Sequence, residues 1–302
     1  MPSNLIYMQA HCHSRNSVNR LSGEGVFHRV LWPVERQVMK VLMMSPGQLA
    51  KLAKKKHVNF IAVTDHNTVP DLSEDSLIPG EEWGQTKGHA NFINIRKPID
   101  PESGYFRNSP PDNPKDFFTA VDEARKQGAF VSINHPFKRD SWLWGEESYR
   151  LANSIEIWNG AWSEENFLAL QQWQSLLVRG IKIFCMAGND FHVNHIFDIS
   201  SQVLAFRNVQ DRESLIANLM KGNYSITKNT DSPVVFLDGD LNYTIEKYSV
   251  DTKLRIISAT SSSTISNPDK EGNVTSNNGE KFIRLELWDK DGPLSFTNPI
   301  FL

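Results

Sequence analysis

The sequence of 302 residues has only two cysteines, Cys12 and Cys185, too few for a disulfide-stapled scaffold. It lacks an apolar run of the roughly 20 residues that a membrane-spanning helix requires, so we expect no membrane association. Its amino terminus lacks a basic segment followed by an apolar one, so no secretory signal is visible and we expect a cytoplasmic protein. The net charge of -3 argues against nucleic-acid binding through broad phosphate neutralisation.

Short apolar runs alternate with helical segments over most of the chain. Strands are predicted at about residues 5–8, 58–63, 129–133, 154–158, 181–186 and 203–206, and helices at about 45–56, 113–128, 163–180 and 212–221. Strands that alternate with amphipathic helices indicate an α/β fold with a parallel sheet, and about seven such units predict a TIM-like barrel. We assign this barrel to residues 1–227 and treat residues 15–44, which show no clean periodicity, as an insertion.

The pattern changes after Thr227. Residues 228–302 are rich in Ser, Thr, Asn and Asp, and they contain apolar runs at 234–237, 254–257 and 282–287. No helix of useful length fits this segment. We therefore predict a small C-terminal antiparallel β-sandwich domain, with residues 258–281 as a long polar turn region.

Six of the nine histidines lie at strand ends, next to carboxylates. The set consists of His11, His13, His66, His89, His135 and His192, with Asp65, Glu82, Glu156 and Asp190. In parallel α/β barrels the carboxyl ends of the strands meet on one face, where active sites form. Protonated imidazoles would repel one another there, whereas neutral imidazoles bind divalent cations through their lone pairs. The set therefore predicts a metal site.

Each local pattern is weak alone, but all of them fall at the same topological position. His11 and His13 are two residues apart at the end of a strand, so both side chains point to the same face. Asp190 and His192 form a second pair of this kind. Glu156 interrupts an otherwise apolar strand, where an unpaired carboxylate would be costly.

The order of these residues resembles the PHP (polymerase and histidinol phosphatase) superfamily over about residues 5–225. The motifs are His11-x-His13-Ser14, Thr64-Asp65-His66-Asn67, Gly80-x-Glu82, Gly88-His89, Asn134-His135-Pro136, Glu156 and Gly188-x-Asp190-x-His192. The resemblance implies a distorted (β/α)7 barrel that binds two or three metal ions at its C-terminal face. Residues 78–82 with 88–89, and the segment 295–300, look closest to a carbaryl-hydrolase-like branch of this superfamily.

The resemblance also implies a role for each position. One ion would be held by His11, His13, Glu82 and Asp190. Glu82 would bridge to a second ion that also takes His89 or His135. A further site would use His66 and His192, with Asp65 as a ligand or as an orienting group, and Glu156 occupies a position where relatives place a further ligand.

This sequence departs from the family pattern at the third ion. Many relatives have Ser-Asp-Gly or a further His after the first motif, which helps to hold that ion, and residues 14–19 offer neither. We therefore expect an incomplete third site, unless Glu24 or His28 returns to it from the insertion.

The combined pattern predicts a metal-dependent hydrolase that cleaves an ester bond, with a phosphoester as first choice, by a metal-activated hydroxide at a di- or trinuclear site. Mixed nitrogen and oxygen ligands suit zinc, manganese or iron. Proton transfer falls to Asp190 or His192, with Asp65 as the third choice. The expected partner is a small-molecule ester, phosphorylated in the preferred reading; the oligomeric state is open.

Two alternatives remain at this point: a carboxylic or carbamate ester hydrolase with the same metals, and a non-catalytic metal-binding module. Three cationic residues, Arg15, Lys138 and Arg139, lie near the right face for an anionic group, although solvation is the simpler expectation for each. A pocket with several cationic groups would favour phosphate over a neutral ester.

Overall fold

The structure, a computed structural model, describes residues 5–19, 38, 41–85, 87–100, 116–138, 142–194, 196–277 and 279–302. Its helices are α1 Pro46–Lys55, α2 Phe117–Lys126, α3 Glu164–Val178 and α4 Arg212–Lys221. Its strands are β1 Ile6–Cys12, β2 Phe60–His66, β3 Leu77–Gln85, β4 Gly88–Ile93, β5 Phe130–Ile133, β6 Ser154–Asn159, β7 Phe184–Gly188, β8 Ser201–Phe206, β9 Ser225–Asn229, β10 Val234–Leu237, β11 Asn242–Glu246, β12 Lys253–Ser258, β13 Ser262–Ser266, β14 Glu271–Asn273, β15 Phe282–Asp289, β16 Gly292–Thr297 and β17 Ile300–Phe301. Short 3-10 helices lie at Arg15–Asn19 and Glu146–Leu151. Glu24, His28 and Arg139 lie outside the described residues.

Helix α1 begins where the sequence predicts it. The Ser45 hydroxyl accepts a hydrogen bond from the Gln48 amide, and the Gln48 side chain accepts one from the Ser45 amide. This confirms the capping box and fixes the start of the helix. Leu49 and Ala53 on the inner face are buried in one cluster with Ile61 of β2, which holds α1 against the sheet.

Helix α2 begins at Phe117, directly after the N-cap residue Asp116. The Asp116 carboxylate accepts a hydrogen bond of 2.8 Å from the Thr119 amide. The predicted start at 113–115 lies outside the described residues. Among the helices of the described residues, none is long and apolar enough to cross a membrane.

Fourteen strands form one mixed sheet in the order β13-β12-β15-β16-β9-β8-β1-β2-β3-β4-β5-β6-β7, with β17 paired to β15. Strands β1, β2 and β3 are parallel, and so are β5, β6 and β7. Strand β4 runs antiparallel to both β3 and β5, and β8 runs antiparallel to β1. The expectation of a wholly parallel barrel sheet is therefore wrong, because β3 and β4 are joined by a short hairpin rather than by a crossover helix.

The curled sheet brings β7 back towards β1, but within the described residues no ladder between these strands closes the barrel. An isolated parallel bridge joins Cys12 to Phe191, just beyond β7. The side chain of Gln9 in β1 also contacts the segment after β7. Its Oε1 accepts a hydrogen bond of 3.1 Å from the Asn189 amide, and its Nε2 donates one of 3.1 Å to the Ile199 carbonyl. The expected closed barrel is thus replaced by an open sheet, in which one backbone bridge and the Gln9 side chain connect β1 to the segment after β7.

The strands after α4 continue the large sheet, because β16 pairs antiparallel with β9 and β9 pairs with β8. Strands β10, β11 and β14 form a separate three-stranded sheet. Val235 and Ile245 of this small sheet share a buried cluster with Leu285 of the large one. A separate sandwich domain with a boundary near residue 227 stays a prediction.

Strands β13 and β14 lie within residues 258–281, so the prediction of a long polar turn region there is wrong. All five residues of β13 are exposed. A strand that buries no face has no apolar alternation, and the sequence therefore contains no periodic signal for it.

Candidate metal centre

The ten predicted site residues come from consecutive strands of the curled sheet. His11 lies in β1 with His13 just after it, Asp65 and His66 in β2, Glu82 in β3, His89 in β4, and Glu156 in β6, whereas His135 follows β5 and Asp190 and His192 follow β7. Eight of the ten form three clusters, in each of which the ligand atoms lie within 4.8 Å of one another. Asp65 and Glu156 lie outside these clusters, which are drawn from the described residues. Glu156 contacts His11 directly, and Asp65 is linked to His13 through the Ser17 hydroxyl.

The first cluster consists of His11, His13, Glu82 and Asp190. His11 Nε2 lies 3.2 Å from Glu82 Oε1 and 3.5 Å from Asp190 Oδ1. His13 Nε2 lies 3.3 Å from Glu82 Oε2 and 3.2 Å from Asp190 Oδ1. Both Nε2 atoms and Asp190 Oδ1 are buried and make no hydrogen bond within the described part of the chain. Because buried polar atoms normally have a partner, these facing nitrogen and oxygen atoms fit a divalent cation.

Glu82 also belongs to a second cluster, with His89 and His135. Its Oε1 lies 3.4 Å from His89 Nδ1 and 3.1 Å from His135 Nε2. The Asn134 side chain donates a hydrogen bond of 3.0 Å to the same oxygen, which holds the carboxylate in place. The buried carboxylate of Glu82 thus lies among ligand nitrogens of both clusters.

The third cluster consists of His13, His66 and His192. The rings of His66 and His192 stack on that of His13, with centroids 4.4 and 4.1 Å away. His13 Nδ1 contacts the Ser17 hydroxyl at 2.9 Å, so its Nε2 is the one nitrogen left for an ion. Since that nitrogen also belongs to the first cluster, the third cluster has only two imidazoles of its own among the described residues.

Hydrogen bonds behind the first cluster fix the tautomer of His13. The Ser17 hydroxyl has one proton, which it donates to Asp65 Oδ1 at 2.7 Å. It must therefore accept from His13, so the proton of that imidazole is on Nδ1 and the lone pair is on Nε2. Asp65 also accepts from the Ser14 amide and hydroxyl, each at 2.6 Å. Asp65 thus lies behind Ser17, outside the clusters.

Glu156 plays the corresponding part for His11. Its Oε1 lies 3.1 Å from His11 Nδ1, and its Oε2 accepts from the His135 amide and from Asn159 Nδ2, each at 2.9 Å. A carboxylate that holds the outer nitrogen of a histidine directs the lone pair of the other nitrogen to the metal. The His192 ring is held in the same way, because its Nδ1 lies 2.8 Å from the backbone carbonyl of Asp190.

The pKa of His13 is shifted in the opposite direction to those of His66 and His192. Burial disfavours the charge of His13, but contacts with Asp190 and Glu82 outweigh it and raise its pKa to about 9. Burial lowers the pKa of His66 to about 4 and that of His192 to about 3, and the neighbouring His13 adds to both effects. The second pair is therefore neutral at pH 7, as ligation requires, whereas His13 must release a proton to bind an ion.

The pKa values of the carboxylates are also shifted in two directions. Burial opposes the charge of Glu82 and Asp190, but the surrounding histidines hold the pKa of each well below its ordinary value. Burial raises the pKa of Asp65, against the hydrogen bonds from Ser14 and Ser17. Two ionised carboxylates therefore lie inside the clusters.

Three further residues shape the site. The sequence named Gly188 only as part of a motif, placed Lys138 near the right face for an anionic group, and gave no role to Ser17. Gly188 lies so close to β1 that a Cβ there would be 2.4 Å from both His11 Cβ and Glu156 Oε1. Ser17 is four residues after His13, within the 3-10 helix that follows the first motif. Lys138 lies against Asp190 on the solvent side. The signal for Gly188 is the Gly-x-Asp motif, since a close backbone approach requires glycine, whereas the sequence pattern gave no signal for Ser17.

The fold has solved counterparts. A two-domain protein from Bacteroides vulgatus, described as containing a predicted PHP-like metal-dependent phosphoesterase, is similar over 99% of this chain and 97% of its own, with 16% identity and a TM-score of 0.52. PsfC from Pseudomonas syringae matches 71% of this chain and 88% of its own, with 12% identity and a TM-score of 0.42, too low to support an argument. No family model and no curated protein matches the chain. The likeness to the Bacteroides vulgatus protein supports the predicted resemblance at the level of the fold.

Proposed function

We propose that this protein is a metal-dependent hydrolase that cleaves a phosphoester bond at a site of at least two divalent ions. The observation that carries the proposal is the position of Glu82, whose buried carboxylate lies within 3.4 Å of ligand nitrogens from all three clusters. Metal sites that serve only the fold are usually closed by four ligands around one ion. A shared carboxylate is instead suited to a centre in which two ions act on one substrate.

The residues that would hold the ions follow from the clusters. His11, His13 and Asp190 would bind one ion with Glu82, and His89 and His135 would bind the other with the same carboxylate. When bound, such ions lower the pKa of water and stabilise the charge that develops on the entering and leaving oxygens. Zinc, manganese and iron all suit these ligands.

The chain itself orients the ligands and moves protons. Glu156 holds the Nδ1 proton of His11 away from the clusters. Ser17, which donates to Asp65, does the same for the Nδ1 proton of His13. The candidates for proton transfer are His192 and Asp190, because Asp65 is occupied by three hydrogen bonds. The contact of His192 Nδ1 with the Asp190 carbonyl directs its Nε2 lone pair into the site, but its pKa of about 3 makes it a weak base.

The proposed substrate is a small phosphorylated ester. Membership of the carbaryl-hydrolase-like branch, a cytoplasmic location and the absence of nucleic-acid partners stay predictions. The chemistry of the site also suits a carboxylic or carbamate ester, so the substrate class must be decided by assay.

The test compares 4-nitrophenyl phosphate with 4-nitrophenyl acetate on protein reconstituted with zinc, manganese or iron, and uses Asp190→Asn as the matched variant. We expect phosphate turnover that is lost with the variant. Turnover of the acetate alone, sensitive to the same change, would overturn the phosphoesterase proposal in favour of a carboxylic ester hydrolase. Full metal occupancy without turnover of either ester would favour a non-catalytic module.

A further inference from the structure

Lys138 lies at the solvent side of the metal centre, three residues after His135. Its Nζ is 3.8 Å from Asp190 Oδ2 and donates a hydrogen bond to Asn159 Oδ1. The lysine side chain is 35% exposed and that of Asp190 is 22% exposed, whereas Glu82 deeper in the site is 1% exposed. The ammonium group therefore stands where the buried clusters meet the solvent.

The two oxygens of Asp190 face different groups. Oδ1 points to the imidazoles of the first cluster, 3.2 Å from His13 Nε2, and Oδ2 points to Lys138. Asp190 is the most exposed residue of the first cluster, so a substrate that binds there from the solvent side lies beside this carboxylate. It therefore comes within reach of the lysine, whose flexible stem allows the ammonium to leave Asp190 for a stronger acceptor.

The other described cation that the sequence placed near this face is directed elsewhere. Arg15 donates a hydrogen bond of 2.9 Å to the Gln48 side chain at the start of α1. Its guanidinium is thus engaged with the exposed end of a helix rather than with the carboxylates of the site.

A charge count shows why the lysine matters. Two divalent ions would bring four positive charges, and Glu82, Glu156, Asp190 and Asp65 would together bring four negative ones when ionised. The imidazoles that bind ions are neutral. Lys138 adds one positive charge at the solvent side of this set. The lysine therefore increases the attraction of the site for an anion.

We propose that Lys138 selects anionic ester substrates by donating a hydrogen bond to a phosphoryl oxygen, an inference that rests on the proposed phosphoesterase function. The ammonium exchanges its contact with Asp190 Oδ2 for the substrate oxygen when the substrate binds. Because a neutral ester offers no charge to this group, the contribution of the lysine scales with the charge of the substrate.

The test is a series of esters that share one leaving group and differ in charge: 4-nitrophenyl phosphate, bis(4-nitrophenyl) phosphate and 4-nitrophenyl acetate. A hydrogen bond to a charged group corresponds to a change of about 10- to 100-fold. For Lys138→Met we expect kcat/KM to fall about 100-fold on the monoester, about 10-fold on the diester and less than about 3-fold on the acetate. Lys138→Arg keeps the charge and should retain most of the preference for the monoester.

Two measurements separate binding of the anion from damage to the centre. Metal content, measured by elemental analysis, should be the same in Lys138→Met, in wild type and in the control Lys126→Met, whose lysine lies exposed on α2. The inhibition constant of inorganic phosphate should rise about 10-fold or more in Lys138→Met and stay unchanged in the control.

Equal losses on all three esters, a loss of metal, or an unchanged phosphate inhibition constant would each overturn the role of Lys138. Failure of the proposed function has a different signature: the wild type would hydrolyse the acetate and neither phosphate. In that case inhibition of acetate turnover by inorganic phosphate still tests whether Lys138 attracts an anion.

Discussion

Replacement of Gly188 by alanine probes the close contact between β7 and β1. The new Cβ would lie 2.4 Å from His11 Cβ, whereas ordinary contacts begin at 3.4 Å, so one of the two atoms must move by about 1 Å. The backbone of β1 is held by ladders to β2 and β8 and cannot move freely. Overpacking of this kind costs about 1–3 kcal/mol, which lowers Tm by roughly 2–10 °C in a chain of this size.

The same displacement acts on the metal centre, because the Cβ also meets Glu156 Oε1, the atom that contacts His11. A shift of about 1 Å far exceeds the roughly 0.2 Å tolerance of metal–ligand distances, so we expect affinity for zinc to fall at least tenfold. Differential scanning fluorimetry and calorimetric zinc titration measure the two effects. Gly239→Ala is the control, since a Cβ there meets nothing within 4 Å. Wild-type Tm and zinc affinity in Gly188→Ala would refute the reasoning.

Other changes test the remaining parts of the centre. Glu82→Gln should reduce bound metal by more than half, because an amide is a poor bridge between ions; elemental analysis that still finds the wild-type content contradicts the shared-carboxylate arrangement. Ser17→Ala removes the group that fixes the His13 tautomer and should weaken zinc binding about 10- to 100-fold, whereas unchanged calorimetric affinity contradicts that role. Because the pKa of His13 is raised from 6.5 to about 9, its contribution to the stability of the metal-free protein is complete below about pH 6.5 and is lost as pH rises through about 9. The Tm of chelator-treated protein should therefore fall over that interval, and a Tm that rises there contradicts the assignment.

The positions of the site residues could be predicted because the relevant signals are local. His11 and His13, or Asp190 and His192, each lie next to a short apolar run, and a strand end is recognisable from a few residues. Their division into ligands and orienting groups could not be predicted in this way. Asp65 and Glu82 are both buried carboxylates in strands, and the hydroxyls of Ser14 and Ser17 hold Asp65 outside the clusters.

The pairing of distant strands could not be predicted from the sequence, for a physical reason. Pairing of β8 with β1, or of β16 with β9, joins segments far apart in the chain, and no local pattern encodes the partner or the direction. The hairpin of β3 and β4 was missed because both strands are buried along nearly their whole length, so they show no alternation of polar and apolar residues.

One hydrogen bond joins β7 to a residue that lies far along the chain, just after β16. Asn298 Oδ1 accepts from the amide of Cys185 in β7 at 2.8 Å, and its Nδ2 donates to the Gly222 carbonyl at 2.9 Å. The two partners of the first bond are 113 positions apart in the chain. On the ribosome, β7 therefore emerges before Asn298, so a chain cut short of that residue carries Asp190 and His192 directly after a strand that lacks this hydrogen bond.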